Sequence, residues 1–160
     1  MILSLSNRNR FLKTPMPPSN EKSICSTKKR IIGLDPGTAV TGYAVVDAGH
    51  QCISAIDYGC IRIPATMPLP DRYHALFQSL NQILDTYRPA SMSLETQFVQ
   101  LNPQSALKVG MARGVAIVAA RSKALEVHEY APSVPKKAVT GSGRASKMQV
   151  QGMAPRLLRP

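Results

Sequence analysis

Two acidic residues in this 160-residue chain stand where chemistry, rather than solvation alone, could explain them. Asp35 closes the run Arg30–Asp35 (RIIGLD), and Pro36 and Gly37 turn the chain immediately afterwards. Consecutive apolar residues before it mark a central strand, so the carboxylate should project from the strand's end into a cleft. The alternative for a lone Asp-Pro-Gly is an ordinary turn. Glu95 is the single charged residue between Ala90 and Val99, and it follows the apolar stretch Met92–Leu94. A carboxylate there is costly unless it is solvated, paired or holding a cation. Two such acids, sixty residues apart in the sequence, would suit magnesium, which takes one or two carboxylates together with phosphate oxygens. Two solvated surface acids are the competing explanation.

The elements that must position these acids can be read from periodicity and punctuation. Arg30–Asp35, Thr41–Asp47 and Cys52–Ile63 read as three strands, with Gly59 a candidate bulge in the third. Their short connections predict an antiparallel meander. Asp71–Tyr87 carries Tyr73, Leu76, Phe77, Leu80, Ile83, Leu84 and Tyr87 at the 3-and-4 spacing of a helix with one buried face. Pro70 opens it, and Arg88 and Pro89 close it. Ser91–Glu95 is a fourth short strand. Pro103–Lys123 follows as a helix apolar over most of its circumference, which predicts burial on more than one side. Within it, Gly110 and Gly114 lie one turn apart, a spacing that permits close approach of a second helix. Ala124–Tyr130 is a fifth strand, and Ser133–Val139 and Ser146–Leu158 are helices split by Gly141 and Gly143. The succession predicts an α/β fold, a mixed sheet with helices packed on it.

Charge narrows the partner. Residues 1–30 hold seven Lys/Arg against Glu21, residues 31–129 hold seven basic and eight acidic groups, and residues 130–160 hold six basic groups and no acid. The net charge of +11 therefore sits at the two ends, a distribution that favours a polyanion, usually nucleic acid; basic tails that aid solubility without binding anything specific are the alternative. Residues 1–29, rich in Ser, Asn, Lys and Pro, read as a disordered basic leader, and 30–160 as one domain. The leader shares features with organelle transit peptides, although Met16 is an alternative start and a cytoplasmic location is the expectation. Cys25, Cys52 and Cys60 are odd in number and lack metal-ligand spacing, so they read as reduced, buried thiols.

Several segments, in order, resemble one family. Ile31–Thr38 (IIGLDPGT) followed by Thr41–Ala44 (TGYA) resembles the opening of the RuvC family of Holliday-junction resolvases. Gly59–Arg62 is similar to that family's third strand, Leu94–Phe98 (LETQF) to its second acidic motif, and Ser105–Gly110 with Ala112–Ile117 to the helix after it. Glu129–Pro132, Gly141–Gly143 and Lys147–Gln151 complete a colinear series from about residue 30 to residue 158. The resemblance implies an RNase H-like fold, a homodimer, and Mg²⁺-dependent endonuclease action on four-way DNA junctions, with two ions per active site. It further implies association with a branch-migration helicase in the bacterial cytoplasm. Asp35 and Glu95 match the family's first two metal-binding catalytic acids, Phe98 an aromatic that stacks on a base near the crossover, and Lys136 and Lys147 basic residues near the scissile phosphate.

One departure bears on activity. The family carries a further acidic pair, spaced three apart, at the start of a final helix, whereas Asp and Glu are absent here after Glu129. The sequence therefore reads as truncated at its C-terminus, with the last helix missing and cleavage by the chain as written expected to be slow. A protein that binds branched DNA without cutting it, and a related RNase H-like nuclease acting on RNA, are the alternatives. A nucleotide-binding fold of the actin-like kind, which uses a similar Asp-Gly-Thr turn, needs a far longer chain.

Overall fold

The computed structural model describes residues 28–49, 53–96 and 103–157. The expected leader falls almost wholly outside them, as do Cys25, Cys52 and Phe98. Among the described residues five strands form one sheet: β1 (Lys29–Asp35), β2 (Val40–Ala48), β3 (Ile53–Arg62), β4 (Ser91–Glu95) and β5 (Glu126–Tyr130). The helices among the described residues are α1 (Leu69–Tyr87), α2 (Pro103–Ser122), α3 (Ser133–Thr140) and α4 (Lys147–Leu157). Across the sheet the order is β3-β2-β1-β4-β5. The first three strands form the expected antiparallel meander, while β4 adds parallel to β1 and β5 parallel to β4.

The alternation of side chains along each strand sorts the sheet into two faces. On one face lie Ile32 and Leu34 of β1, Val45 of β2, Ile61 of β3, and Met92 and Leu94 of β4, all buried. Leu76, Leu80 and Leu84, four apart on α1, cover them, each worth about 1.5–3 kcal/mol on burial. Helix α1 begins at Leu69 with Pro70 in its first turn, and ends at Arg88, whose left-handed backbone (φ 46°) lets its N–H reach Leu84 O. Helix α2 lies alongside α1 and presents Ala112, Ala116, Ala119 and Ala120 inward, all fully buried. Four methyl-sized side chains let the helix approach closely. Of its larger apolar residues, Val115 and Ile117 are partly buried against the core, whereas Leu107, Met111 and Val118 are exposed, so burial on more than one side is limited by one open stripe.

Two further expectations are corrected. The irregularity of the meander falls between Val45 and Val46, where Val45 opposes Asp57 and Val46 opposes Ala55, not at Gly59. Gly59 instead lies beneath the Tyr43 ring, where a Cβ would come within 3.1 Å of Cε1. Cys60 is exposed rather than buried, because its partner in register, Gly42, belongs to the opposite, open face of the sheet. No helix among the described residues is long and apolar enough to cross a membrane.

Candidate active site

The open face carries the acids. Asp35 ends β1 and Glu95 ends β4, and each lies one residue beyond the last matched pair of that parallel ladder, Leu34 and Leu94. The two carboxylates are thus neighbours on adjacent strands, about 4.8 Å apart at the backbone. Continuing the same row outward, Asp35 opposes Gly42, Gly42 opposes Cys60, and Glu95 opposes Tyr130. The row behind it consists of small residues at its centre, Ala44, Gly33 and Ser93. A cavity of about 310 Å³ sits over these two rows, with Pro135 of α3 at its rim. Small side chains beside an exposed Asp35 and a half-buried Glu95 leave room for a bulky, anionic backbone to approach.

The turn after Asp35 is held tightly. Gly37 N–H donates to Thr41 Oγ1 at 3.1 Å, and Thr41 Oγ1 donates in turn to Gly37 O at 2.9 Å. Ile63 N–H reaches Ala39 O at 2.9 Å, fastening the connection to the end of β3. Beyond Glu95, Thr96 N–H donates to Tyr130 O at 2.8 Å, extending the join between β4 and β5. Among the described residues, the ion pairs involve neither Asp35 nor Glu95. Two adjacent carboxylates without a cation repel each other, and a hard divalent ion relieves that repulsion while keeping most of its water. Two oxygen donors of this kind could hold a hard divalent cation at one position. No group of three or more His, Cys, Asp or Glu that could hold a metal occurs among the described residues, so the two acids supply too few ligands by themselves to fix a second ion.

The other residues singled out in the sequence are placed differently. Lys136 lies on α3, next to Pro135, and is partly exposed; Lys147 begins α4 and is exposed. Neither lines the cavity over the acids. The first turn of α4 is closed by a reciprocal cap, in which Gln149 N–H donates to Ser146 Oγ and Ser146 N–H donates to Gln149 Oε1. Glu129 pairs with Arg113 of α2, a contact that ties the fifth strand to that helix. A larger cavity, about 620 Å³, lies at the opposite end of the sheet beside Lys28 and Arg88. Its central ionic groups are already occupied: Arg30 holds Asp47 through two bonds of 2.7 and 2.9 Å. The hydrogen bond to Arg30 keeps the Asp47 carboxyl below its usual range, and we assign this end to structure.

Sequence reasoning missed Thr41 as more than part of a motif, and it missed a cluster around Asp57. There Tyr43 and Tyr87 both donate to Asp57 Oδ2, at 3.0 and 2.6 Å. Burial, then the bond to Asp57, pushes the Tyr43 hydroxyl up to about 12.

Five strands ordered 3-2-1-4-5, two helices packed on one face, and paired acids at neighbouring strand ends on the other define an RNase H-like α/β domain. Comparison with known proteins narrows the class. Residues 31–159 match the family model for crossover junction endodeoxyribonuclease RuvC, and the chain belongs to that family. Over 129 residues it is 51% identical to the crossover junction endodeoxyribonuclease RuvC of Protochlamydia amoebophila, covering 80% of this chain and 76% of that one. A structure of T. thermophilus RuvC in complex with a Holliday junction substrate superposes with a TM-score of 0.76 at 28% identity, over 82% of this chain and 84% of the other. The yeast mitochondrial Holliday junction resolvase Ydc2 shares the fold, with a TM-score of 0.62 at 12% identity, over 81% of this chain and 64% of the other.

Proposed function

We propose that this chain acts on four-way DNA junctions as a structure-specific endonuclease, and that Asp35 and Glu95 are the acids that serve the hydrolysis. The observation that carries the reading is the adjacency of the two carboxylates on the open face of the sheet, over a floor of small residues. Support comes from the T. thermophilus relative, whose structure holds a Holliday junction substrate. Asp35 and Glu95 would hold Mg²⁺, which supplies charge stabilisation at the scissile phosphate and activation of water. The chain's own part is to hold two oxygen donors at fixed spacing, and to leave Gly33, Ala44 and Ser93 low enough for the DNA backbone to descend. Phe98 is proposed to stack on a base beside the crossover, and Lys136 and Lys147 to meet phosphates flanking the cut. The excess of basic residues at the two ends of the sequence adds attraction without sequence preference.

We infer that two copies pair through the outer face of α2, where Leu107, Met111 and Val118 are exposed on a single chain. Pairing would place two acidic sites on one junction, as symmetric cutting of two strands requires.

The test separates binding from cutting. Asp35→Asn and Glu95→Gln should each lower Mg²⁺-dependent junction cleavage by at least about 10²-fold, while gel-shift affinity for the junction stays within a few-fold. Junction binding should exceed binding to linear duplex, and should weaken steeply with salt. Unimpaired cleavage by Asp35→Asn would remove the acid from the mechanism. Equal affinity for junction and duplex would remove the structural specificity.

A further inference from the structure

We propose that Thr41 is a positioning residue for the cation site: its one buried hydroxyl closes the turn that fixes Asp35. The inference rests on the reading of Asp35 and Glu95 as cation ligands and adds a residue that touches neither cation nor DNA. Thr41 is 1% exposed, one of two polar residues in the buried set of the described chain. Its hydroxyl accepts from Gly37 N–H and donates to Gly37 O, at 3.1 and 2.9 Å. A hydroxyl has one proton to give and can accept in return, so a single side chain satisfies both backbone groups of one turn residue.

Everything else about the turn makes it dependent on that clamp. Pro36 is buried, which anchors the turn's first residue. Gly37 lies so close to β2 that a Cβ would stand 2.2 Å from Val40 O. Asp35 itself makes the last pair of the β1–β2 ladder, opposite Gly42, so its backbone is held on one side only by the ladder and on the other by the turn. A carboxylate at such a junction moves when the turn moves. Mg²⁺ demands near-octahedral geometry, and about 1 Å of misplacement can cost roughly 10²-fold in rate. A loosened turn therefore weakens cation binding, while the pairing of β1 with β2 and β4 holds the rest of the strand in place.

The test uses the whole chain and Mn²⁺ as the probe, with free Mn²⁺ followed by its paramagnetic resonance, and Gly37 amide exchange followed by NMR. Thr41→Val keeps the shape and removes the hydroxyl, and it should raise the Mn²⁺ Kd at least tenfold and speed Gly37 exchange. Thr41→Ser keeps the hydroxyl and should restore both to near native values, a rescue that a purely packing role for the methyl group would not give. Gly37→Ala disturbs the same turn with Thr41 intact and should weaken Mn²⁺ binding similarly. It carries the test if Thr41→Val proves unfolded at the assay temperature. Asp35→Asn is the reference: if it binds Mn²⁺ as the native chain does, or if the native chain does not bind, the cation reading itself fails. If Asp35→Asn loses binding while Thr41→Val or Gly37→Ala retains native affinity, the role assigned to Thr41 is overturned.

Discussion

Asp57 receives two tyrosine hydroxyls on one oxygen, from β2 and from the last turn of α1, and its position there depends on a single extra residue. Because Val46 opposes Ala55 and Val45 opposes Asp57, Ile56 has no partner of its own. Such an insertion reverses the alternation beyond it, and Asp57 turns from the open face to the helix-covered one. Tyr43 then lies between burial and a carboxylate, and both keep its proton on, so its hydroxyl titrates near 12 rather than 10.0. A raised pKa contributes stability that is fully present below about pH 10 and is lost as pH climbs through about 12. Chemical unfolding in that range should show Tyr43→Phe with a shallower alkaline loss than the native chain. Equal slopes would mean that the phenol ionises as easily folded as unfolded. The acids of the open face were legible in sequence because each ends an apolar strand without another charge nearby. The Asp57 cluster was not, because its partners stand 14 and 30 residues away and the insertion that aims it leaves no mark in composition.

For whole elements, the limit on legibility is phase rather than extent. The sequence predicts α2 over Pro103–Lys123 and the helix runs Pro103–Ser122, but a helix apolar nearly all round does not announce which side faces inward. Packing chose the alanines, since four small side chains on one stripe bring the helix axis nearer to its neighbours than leucines could. The outward stripe holds the prediction. A Cβ at Gly110 or Gly114 would meet nothing within 4 Å, so Gly110→Leu should leave a single chain folded and gain helix propensity of roughly 0.8 kcal/mol over Gly. If α2 pairs with a second copy, the same change should shift sedimentation from dimer to monomer at micromolar concentration with no loss of melting temperature. A native chain that sediments as a monomer, or a Gly110→Leu dimer of native affinity, would discard this surface as the seam.

Across the whole molecule, class was legible and order was not. Short connections predicted the meander, and the alternation of later strands with helices predicted a mixed sheet, but nothing local says that β4 joins β1 rather than β3. The observed order places Asp35 in the antiparallel half and Glu95 in the parallel half. That division has a kinetic consequence. The ladders of β1, β2 and β3 join segments that follow one another closely, whereas the β1–β4 ladder joins segments some sixty residues apart with α1 between them. Contacts distant along the chain form late, because closing a long loop precedes any gain from it. Pulse-labelled hydrogen exchange during refolding should therefore protect β2 and β3 amides before those of β4, and the reverse order would contradict it. A chain caught partway through folding would carry one acid on a formed ladder and the other still adrift. Cutting competence would then be the last property acquired, arriving only when the crossover closes, and a nascent or half-folded copy could meet DNA without being able to break it.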